Sequence, residues 1–395
     1  MIVGTDSRRI AWLVWLAVAV AVSALALNGY RRSVVPAYRT AALAWMDGRS
    51  LYTNDGSGFL YFPQAAILYV PFAVLPERLG EALWRIVGIG VFAWGTYRLA
   101  GQARMRSTQD GFALASLVVL PLAWDCARNG QATLLLSGLI LSATVDFTEG
   151  RFTRSAVALS LGLAIKPLAI VPGGLLAVLD RRMFWRLTVG GFLCLASPFV
   201  FQNPGYAAWQ YTVCWQSLQV TAHVGVVELW AQPFSVLQLI HVNIPETLQT
   251  VVRAAAGIAV VGMSWIARRR LEPPRLSIFL YAVAATYLML FNPRTENNSY
   301  AMLAPAIGVM FAEAIAAKGV CREAGLLILI AAGIVGGNRI GSLLVPDVKP
   351  IWLAPIMATC FAVYLVAKFR AEIREVTTTE VPPASPLLDQ AERIG

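Results

Sequence analysis

Apolar runs alternate with short polar turns along nearly the whole chain. A helix that crosses a bilayer needs about 20 mostly apolar residues, because hydrocarbon offers no partner to unpaired backbone groups and the helix must satisfy them itself. The first run, 10–27, follows Arg8-Arg9 and has no small-x-small cleavage site close behind it, so it reads as an uncleaved helix and not as a signal peptide. Further spans are predicted over 81–99, 112–124, 132–147, 185–201, 247–267, 276–291, 300–316, 326–343 and 351–366. The run 155–179 is interrupted by Lys166-Pro167 and Pro172-Gly173-Gly174, which predicts two half-helices dipping in and out with Lys166 near the far turn. The total is about 11 membrane-inserted passes, in an all-α polytopic bundle.

Two long polar segments stand apart from this rhythm. In 34–76, a short helix is expected over 41–46, stopped by Asp47-Gly48; Asn54-Asp55-Gly56-Ser57-Gly58 reads as a loop, and Pro63, Pro71 and Pro76 break the apolar remainder into surface or re-entrant short helices. The segment 202–246 is rich in Trp, Tyr and Gln and reads as a long loop. With Arg8 and Arg9 on the cytoplasmic side, both segments fall outside, together with 125–131 and 292–299. One domain is expected over 1–367, with 28–80 as an external loop, followed by a cytoplasmic tail over 368–395 that is charged, Pro-punctuated and disordered.

Composition agrees with the pattern: 57% of the 395 residues are hydrophobic and 14% charged, with a mean hydropathy of +0.62. The net charge of +10 invites a nucleic-acid reading, but the basic residues sit in short loops between apolar runs, as at Arg181/Arg182/Arg186 and Arg268/Arg269/Arg270. That is the signature of a cytoplasmic face, and no nucleic-acid module accompanies it. The five cysteines lack metal spacing, and Cys126 with Cys214 is the single disulfide the topology permits. Histidine occurs only at 223 and 241, so no metal site is expected.

Ionisable groups at membrane depth cost roughly 2.5–3.5 kcal/mol on insertion scales, so each calls for a reason. Lys166 either meets an anion such as a lipid phosphate, or snorkels or pairs with a carboxylate such as Asp125. Asp125 and Arg128 flank one helix end and pair with each other or serve a ligand; Asn129 and Gln131 offer amides suited to sugar hydroxyls or to a helix cap. The loop Asn292-Pro293-Arg294-Thr295-Glu296-Asn297-Asn298-Ser299 gathers a guanidinium, a carboxylate and amides between two spans. His223 is a proton relay or an ordinary surface histidine. Asp47 and Asp55 are either turn formers or the carboxylate that deprotonates an acceptor hydroxyl.

Tyr38, Gly48-x-x-Leu51-Tyr52, Phe59-x-Tyr61-x-Pro63, Pro71 and Leu75-Pro76, then Asn129-Gly130-Gln131, Gly162-Leu163-Ala164-x-Lys166-Pro167 and Asp180-Arg181-Arg182-x-x-Trp185-Arg186 resemble, in order and spacing, glycosyltransferase family 87. These are polyprenyl-phosphate-dependent mannosyltransferases of GT-C architecture, and the resemblance covers roughly 35–310. It implies a bacterial plasma-membrane enzyme with cytoplasmic termini and an external active site. Such an enzyme takes a sugar from a polyprenyl-phosphate donor to a lipid or glycan hydroxyl, without a cofactor; a non-catalytic carrier or flippase for a lipid-linked sugar is the alternative. Lys166, Arg128 and Arg294 are the candidates for the donor phosphate, and Glu296, Asp55 and Asp47 for the catalytic carboxylate. Tyr52, Tyr61, Asn129, Gln131, His223, Asn297 and Asn298 are the candidates for substrate contact. The chain departs from the family in two respects: Arg31-Arg32-Ser33-Val34 holds no acid where the family carries an Asp ahead of the Tyr matching Tyr38, and Thr295-Glu296-Asn297-Asn298 keeps the Glu but not the histidines of the family's Trp-Glu-His-His-like stretch.

Overall fold

The computed structural model describes residues 3–53, 58–106, 109–224, 230–317, 321–346 and 348–379, and every regular element among them is helical. In order these are α1 (Val3–Leu27), α2 (Val35–Met46), α3 (Pro63–Ala73), α4 (Glu77–Ala100), α5 (Gly111–Asn129), α6 (Ala132–Thr148), α7 (Phe152–Ile165), α8 (Ile170–Leu179), α9 (Arg181–Phe201), α10 (Pro204–Val224), α11 (Pro233–Leu239), α12 (Glu246–Arg270), α13 (Pro273–Phe291), α14 (Ala304–Ala316), α15 (Cys321–Val335), α16 (Arg339–Leu344) and α17 (Leu353–Thr379). Short 3-10 turns precede α8 and α14.

Among the described residues, seven helices are long and apolar enough to cross a membrane: α1, α5, α9, α12, α13, α14 with its preceding turn, and α17. Reaching about 11 passes requires counting α4, which carries four charged residues in its first three turns, and the shorter α6, α15 and α7–α8. The spans divide by burial. The apolar windows of α13 and α14 are 83% and 94% buried, whereas those of α9 and α12 are 6% and 11% buried and leave their side chains for lipid. The core is thus α4, α5 and α6 with α13 and α14, ringed by α1, α7–α9, α12, α15 and α17.

Small residues let the inner helices approach closely. A methyl at Gly95 of α4 would lie 2.7 Å from the Gly138 carbonyl of α6, and one at Gly138 2.4 Å from the Val91 carbonyl. Where lipid is as apolar as leucine, this backbone proximity supplies the contact that hydrophobicity cannot. Charges close the end that carries the start of α1. Arg8 pairs with Asp110, the N-cap of α5, at 2.7 Å; Arg98 of α4 reaches Asp146 at 2.9 Å; Arg275 of α13 contacts Glu313 of α14 and Glu372 of α17.

The broken run folds as its prolines dictate. α7 stops at Ile165, Lys166 adopts φ −151° and ψ 130°, and Pro167 begins the 3-10 turn that leads into α8. A residue before proline is pushed out of the helical region, so Lys166 becomes the tip of a half-height hairpin. Four elements differ from the periodicity reading. Residues after Tyr61 form one helix, α3, that tolerates Pro71 near its C-terminus; the Trp/Tyr/Gln segment contains the 21-residue α10; α15 ends at Val335, before Gly336-Gly337; and α17 continues past Lys368 to Thr379. Cys126 and Cys214 are both buried free thiols, so the one disulfide the topology permits is not formed.

Candidate active site

The turn between α5 and α6 is the anchor of the polar end. Gly130 takes φ 68°, and a methyl there would meet Val35 Cγ2 at 2.4 Å and the Arg85 guanidinium at 3.1 Å. Three donors fix the carbonyls of this turn: Trp84 Nε1 to Gly130 at 2.9 Å, Arg85 Nε to Arg128 at 3.3 Å, and the Val34 amide to Asn129 at 3.0 Å. Arg85 is itself buried, and its charge is met by Glu81 at 2.9 Å, with Ser33 Oγ bonded to both. An unpaired guanidinium there would be prohibitive; paired and fully hydrogen-bonded, it becomes a fixed strut. None of Ser33, Glu81, Trp84 and Arg85 was singled out from sequence, although Glu81 and Arg85 stand four apart in an apolar run, the spacing that puts two charges on one helix face.

Beside this turn lies a small aromatic cavity lined by Tyr38, Phe59, Tyr61, Tyr69 and Trp84, with Ala132 and Ile165 at its wall. The rings contact one another in tilted and edge-on pairs, with centroids 5.2–5.9 Å apart, the favoured arrangement for aromatic quadrupoles. Tyr38 accepts a hydrogen bond from the Ala132 amide at 3.4 Å and lies 3.5 Å from the Tyr61 hydroxyl. Burial, and then the Tyr61 neighbour, push the Tyr38 hydroxyl well above the ordinary phenol range, so it remains a neutral hydrogen-bonding group. Tyr52 is buried and donates to the Tyr61 carbonyl at 2.7 Å, which fixes Tyr61 in place.

Lys166 reaches into this region from the hairpin tip. Its Nζ donates to Thr133 Oγ1 at 3.3 Å and stands 5.9 Å from the Tyr61 ring centroid. Asp125 is not its partner: that carboxylate takes Arg128, at 2.8 Å. No carboxylate within ion-pair distance of Lys166 is found among the described residues, so the cation is held by a hydroxyl and a ring face. At the head of α6, two positions before Thr133, Gln131 donates to Glu296 Oε2 at 2.7 Å. The Cys126 thiol, one turn before, bonds Gln131 Oε1 at 3.4 Å. The structure therefore brings Tyr61, Gln131, Lys166 and Glu296 around one helix end.

The other candidates sit around or away from this centre. Asn129 accepts from the Tyr30 hydroxyl at 3.3 Å, and Arg128 stacks 5.5 Å over the Tyr30 ring. Arg294 lies 4.9 Å over the Trp230 ring; Asn297 bonds Asn338 and the Pro350 carbonyl, tying the loop to the segment before α17; half-buried Asn298 follows in the 3-10 turn. Asp47 caps the far end of α2 and pairs with Arg49 at 2.8 Å in solvent. Asp55 and the His223 side chain lie outside the described residues. Among the described residues, no three His, Cys, Asp or Glu side chains are grouped to hold a metal.

The chain is similar, at 28% identity over 340 residues and 77% of each chain, to a polyprenol-phosphate-mannose-dependent alpha-(1-2)-phosphatidylinositol mannoside mannosyltransferase of Mycobacterium tuberculosis. Among solved structures, ArnT from Cupriavidus metallidurans matches in its apo state with a TM-score of 0.42 at 16% identity, over 93% of this chain and 78% of that one. The form bound to undecaprenyl phosphate matches with a TM-score of 0.37 at 15% identity, over 92% and 77%. The sequence model of glycosyltransferase family 87 matches residues 59–293, a stretch that takes in α3 to α13 with the Arg85 strut, the α5–α6 turn and the Lys166 hairpin, and the chain belongs to that family.

Proposed function

We propose that this chain transfers a mannose-like sugar from a polyprenyl-phosphate donor to a hydroxyl of a lipid or glycan acceptor, at the outer face of a bacterial plasma membrane. The observation that carries the reading is the meeting of Lys166 and Glu296 at the head of α6, one through Thr133 and the other through Gln131, in a chain of this family. A donor phosphate needs a cation that is not already neutralised, and Lys166, at the hairpin tip, has no carboxylate partner among the described residues. An acceptor hydroxyl needs a base, and Glu296 is an exposed carboxylate oriented by an amide.

The chemistry rests on those two charges. The acceptor oxygen attacks the anomeric carbon as its proton passes to the Glu296 carboxylate. The bond between that carbon and the phosphate oxygen breaks, and the electron pair leaves with the polyprenyl phosphate, whose growing charge the Lys166 ammonium stabilises. The Tyr61 ring, beside which Lys166 stands, is a wall of the site, and the Tyr38, Tyr69 and Trp84 rings packed behind it hold it in place. Arg128 and Asn129 flank the site; Arg294, Asn297 and Asn298 belong to the loop and turn before α14; His223, near the C-terminal end of α10, is a further candidate for substrate contact; Asp47 and Asp55 are the alternative carboxylates.

The test is transfer by purified protein from radiolabelled polyprenyl-phosphate mannose to mixed lipid acceptors. Labelled product is expected. Tight binding of the donor lipid with no transfer to any acceptor would favour a carrier or flippase instead.

A further inference from the structure

Between the end of α1 and Arg128 of α5 opens a second, wide cavity of about 480 Å3, which shares no lining residue with the aromatic cavity. Its wall is Leu25, Tyr30, Arg31, Arg32 and Arg128, at the top of α1. Arg78 lies beside it, donating to the Leu27 carbonyl at 3.1 Å. Arg31 and Arg32 are exposed and make no ion pair with any described residue. Arg128 gives one amino group to Asp125, while its Nε is buried with no acceptor among the described residues. Three guanidiniums thus face one opening against a single carboxylate.

Planar guanidinium forks match phosphate oxygens better than any other side chain. The surface below the opening selects the kind of phosphate. Down α1, Leu25, Val20, Leu16, Leu13 and Ile10 are 37–63% exposed, an unbroken apolar face leading away from the arginines. A free phosphate has no use for that face, whereas acyl chains would lie along it with the head group among the arginines. We propose that this cavity binds the phosphodiester of an anionic phospholipid from the adjacent leaflet, at a site distinct from the one that holds the donor phosphate beside Lys166. The inference concerns binding and stands apart from whether the chain transfers sugar.

The probes are fluorescent phosphatidylglycerol, fluorescent phosphatidylcholine and polyprenyl phosphate, titrated against the full chain in detergent. Wild type should prefer phosphatidylglycerol over phosphatidylcholine by about tenfold, the effect of one charge-assisted contact. Saturating polyprenyl phosphate should leave phosphatidylglycerol bound, and millimolar inorganic phosphate should not displace it. The double variant R31Q/R32Q should lose the preference yet keep its polyprenyl-phosphate affinity within about twofold, whereas K166Q should do the reverse. Displacement of phosphatidylglycerol by polyprenyl phosphate in wild type would overturn the second site with no variant needed. Displacement by inorganic phosphate would overturn the lipid assignment, and an undiminished preference in R31Q/R32Q would overturn the arginines' role.

Discussion

Gln131 at the head of α6 donates a 2.7 Å hydrogen bond from Nε2 to Oε2 of Glu296, joining the α5–α6 turn to the loop that leads into α14. The amide carries no charge of its own and fixes the direction in which the carboxylate points. If Glu296 takes the acceptor proton, E296Q retains the shape and the hydrogen-bonding reach but not the base. Transfer should fall by about a hundredfold or more, the usual contribution of a positioned general base, with polyprenyl-phosphate affinity unchanged. Q131A removes orientation alone and should lower kcat by about tenfold or less. Steady-state kinetics with a donor-binding assay on the same preparations checks both, and an E296Q enzyme with wild-type kcat would move the base to Asp47 or Asp55.

Lys166 makes the opposite demand on the data. Its ammonium is held by Thr133 and the Tyr61 face and has no carboxylate among the described residues to lose. Replacing it with Met should weaken donor binding by roughly tenfold to a hundredfold, the equivalent of about 1.5–3 kcal/mol for a hydrogen bond to a charged group. Thermal stability should hold or rise, because an expensive cation leaves the membrane edge. K166R should restore part of the affinity. Donor titration beside a melting curve separates this from a structural role, which would lower the melting temperature instead.

The helical bundle was legible because the bilayer imposes one length and one composition on whatever crosses it, and the Lys166-Pro167 break announced the hairpin tip on local sterics alone. The parts of the candidate site could be picked out one by one: Lys166 as a cation inside an apolar run, Gln131 and Glu296 as members of short polar loops between spans. Their convergence was not, since residues 131, 166 and 296 meet only through packing of α6, α7 and the loop before α14. α10 escaped because its apolar and polar residues are spread around all faces, leaving no stripe to find. Arg85 escaped for another reason: inside a predicted span, one charge reads as tolerated noise until its partner one turn earlier is read with it.

Arg85 and Gly130 carry the next prediction. Met at 85 leaves Glu81 buried at the site's edge with its cation gone, and breaking one side of a buried pair costs about 3–5 kcal/mol. The replacement E81Q/R85M removes both charges and should recover much of that stability. Gly130→Ala forces a side chain into a left-handed position against Val35 and should cost about 1–3 kcal/mol. Melting temperatures in detergent would order the four proteins as wild type, then E81Q/R85M and G130A, with R85M lowest. An R85M protein as stable as wild type would contradict the strut.

Asp180, between α8 and α9, fixes the other end of the Lys166 hairpin. It caps α9 through the Arg182 amide at 2.8 Å, accepts from Arg268 Nη2 at 2.6 Å, and lies beneath a contact from Arg268 to the Leu179 carbonyl. Burial works against its charge, but the hydrogen bonds from Arg182 and Arg268 outweigh it and hold the carboxyl below the usual range. A folded-state value below the unfolded one, about 3.9, means the stabilisation is fully present above that pH and is lost as pH falls toward the folded value. Wild type should therefore exceed D180N by about 2 kcal/mol or more at pH 7, with the gap narrowing below about pH 4. Thermal unfolding of both proteins across that range reads the difference directly. Parallel curves with no convergence at acid pH would mean that α9 capping, and not the ionised pair with Arg268, anchors the hairpin.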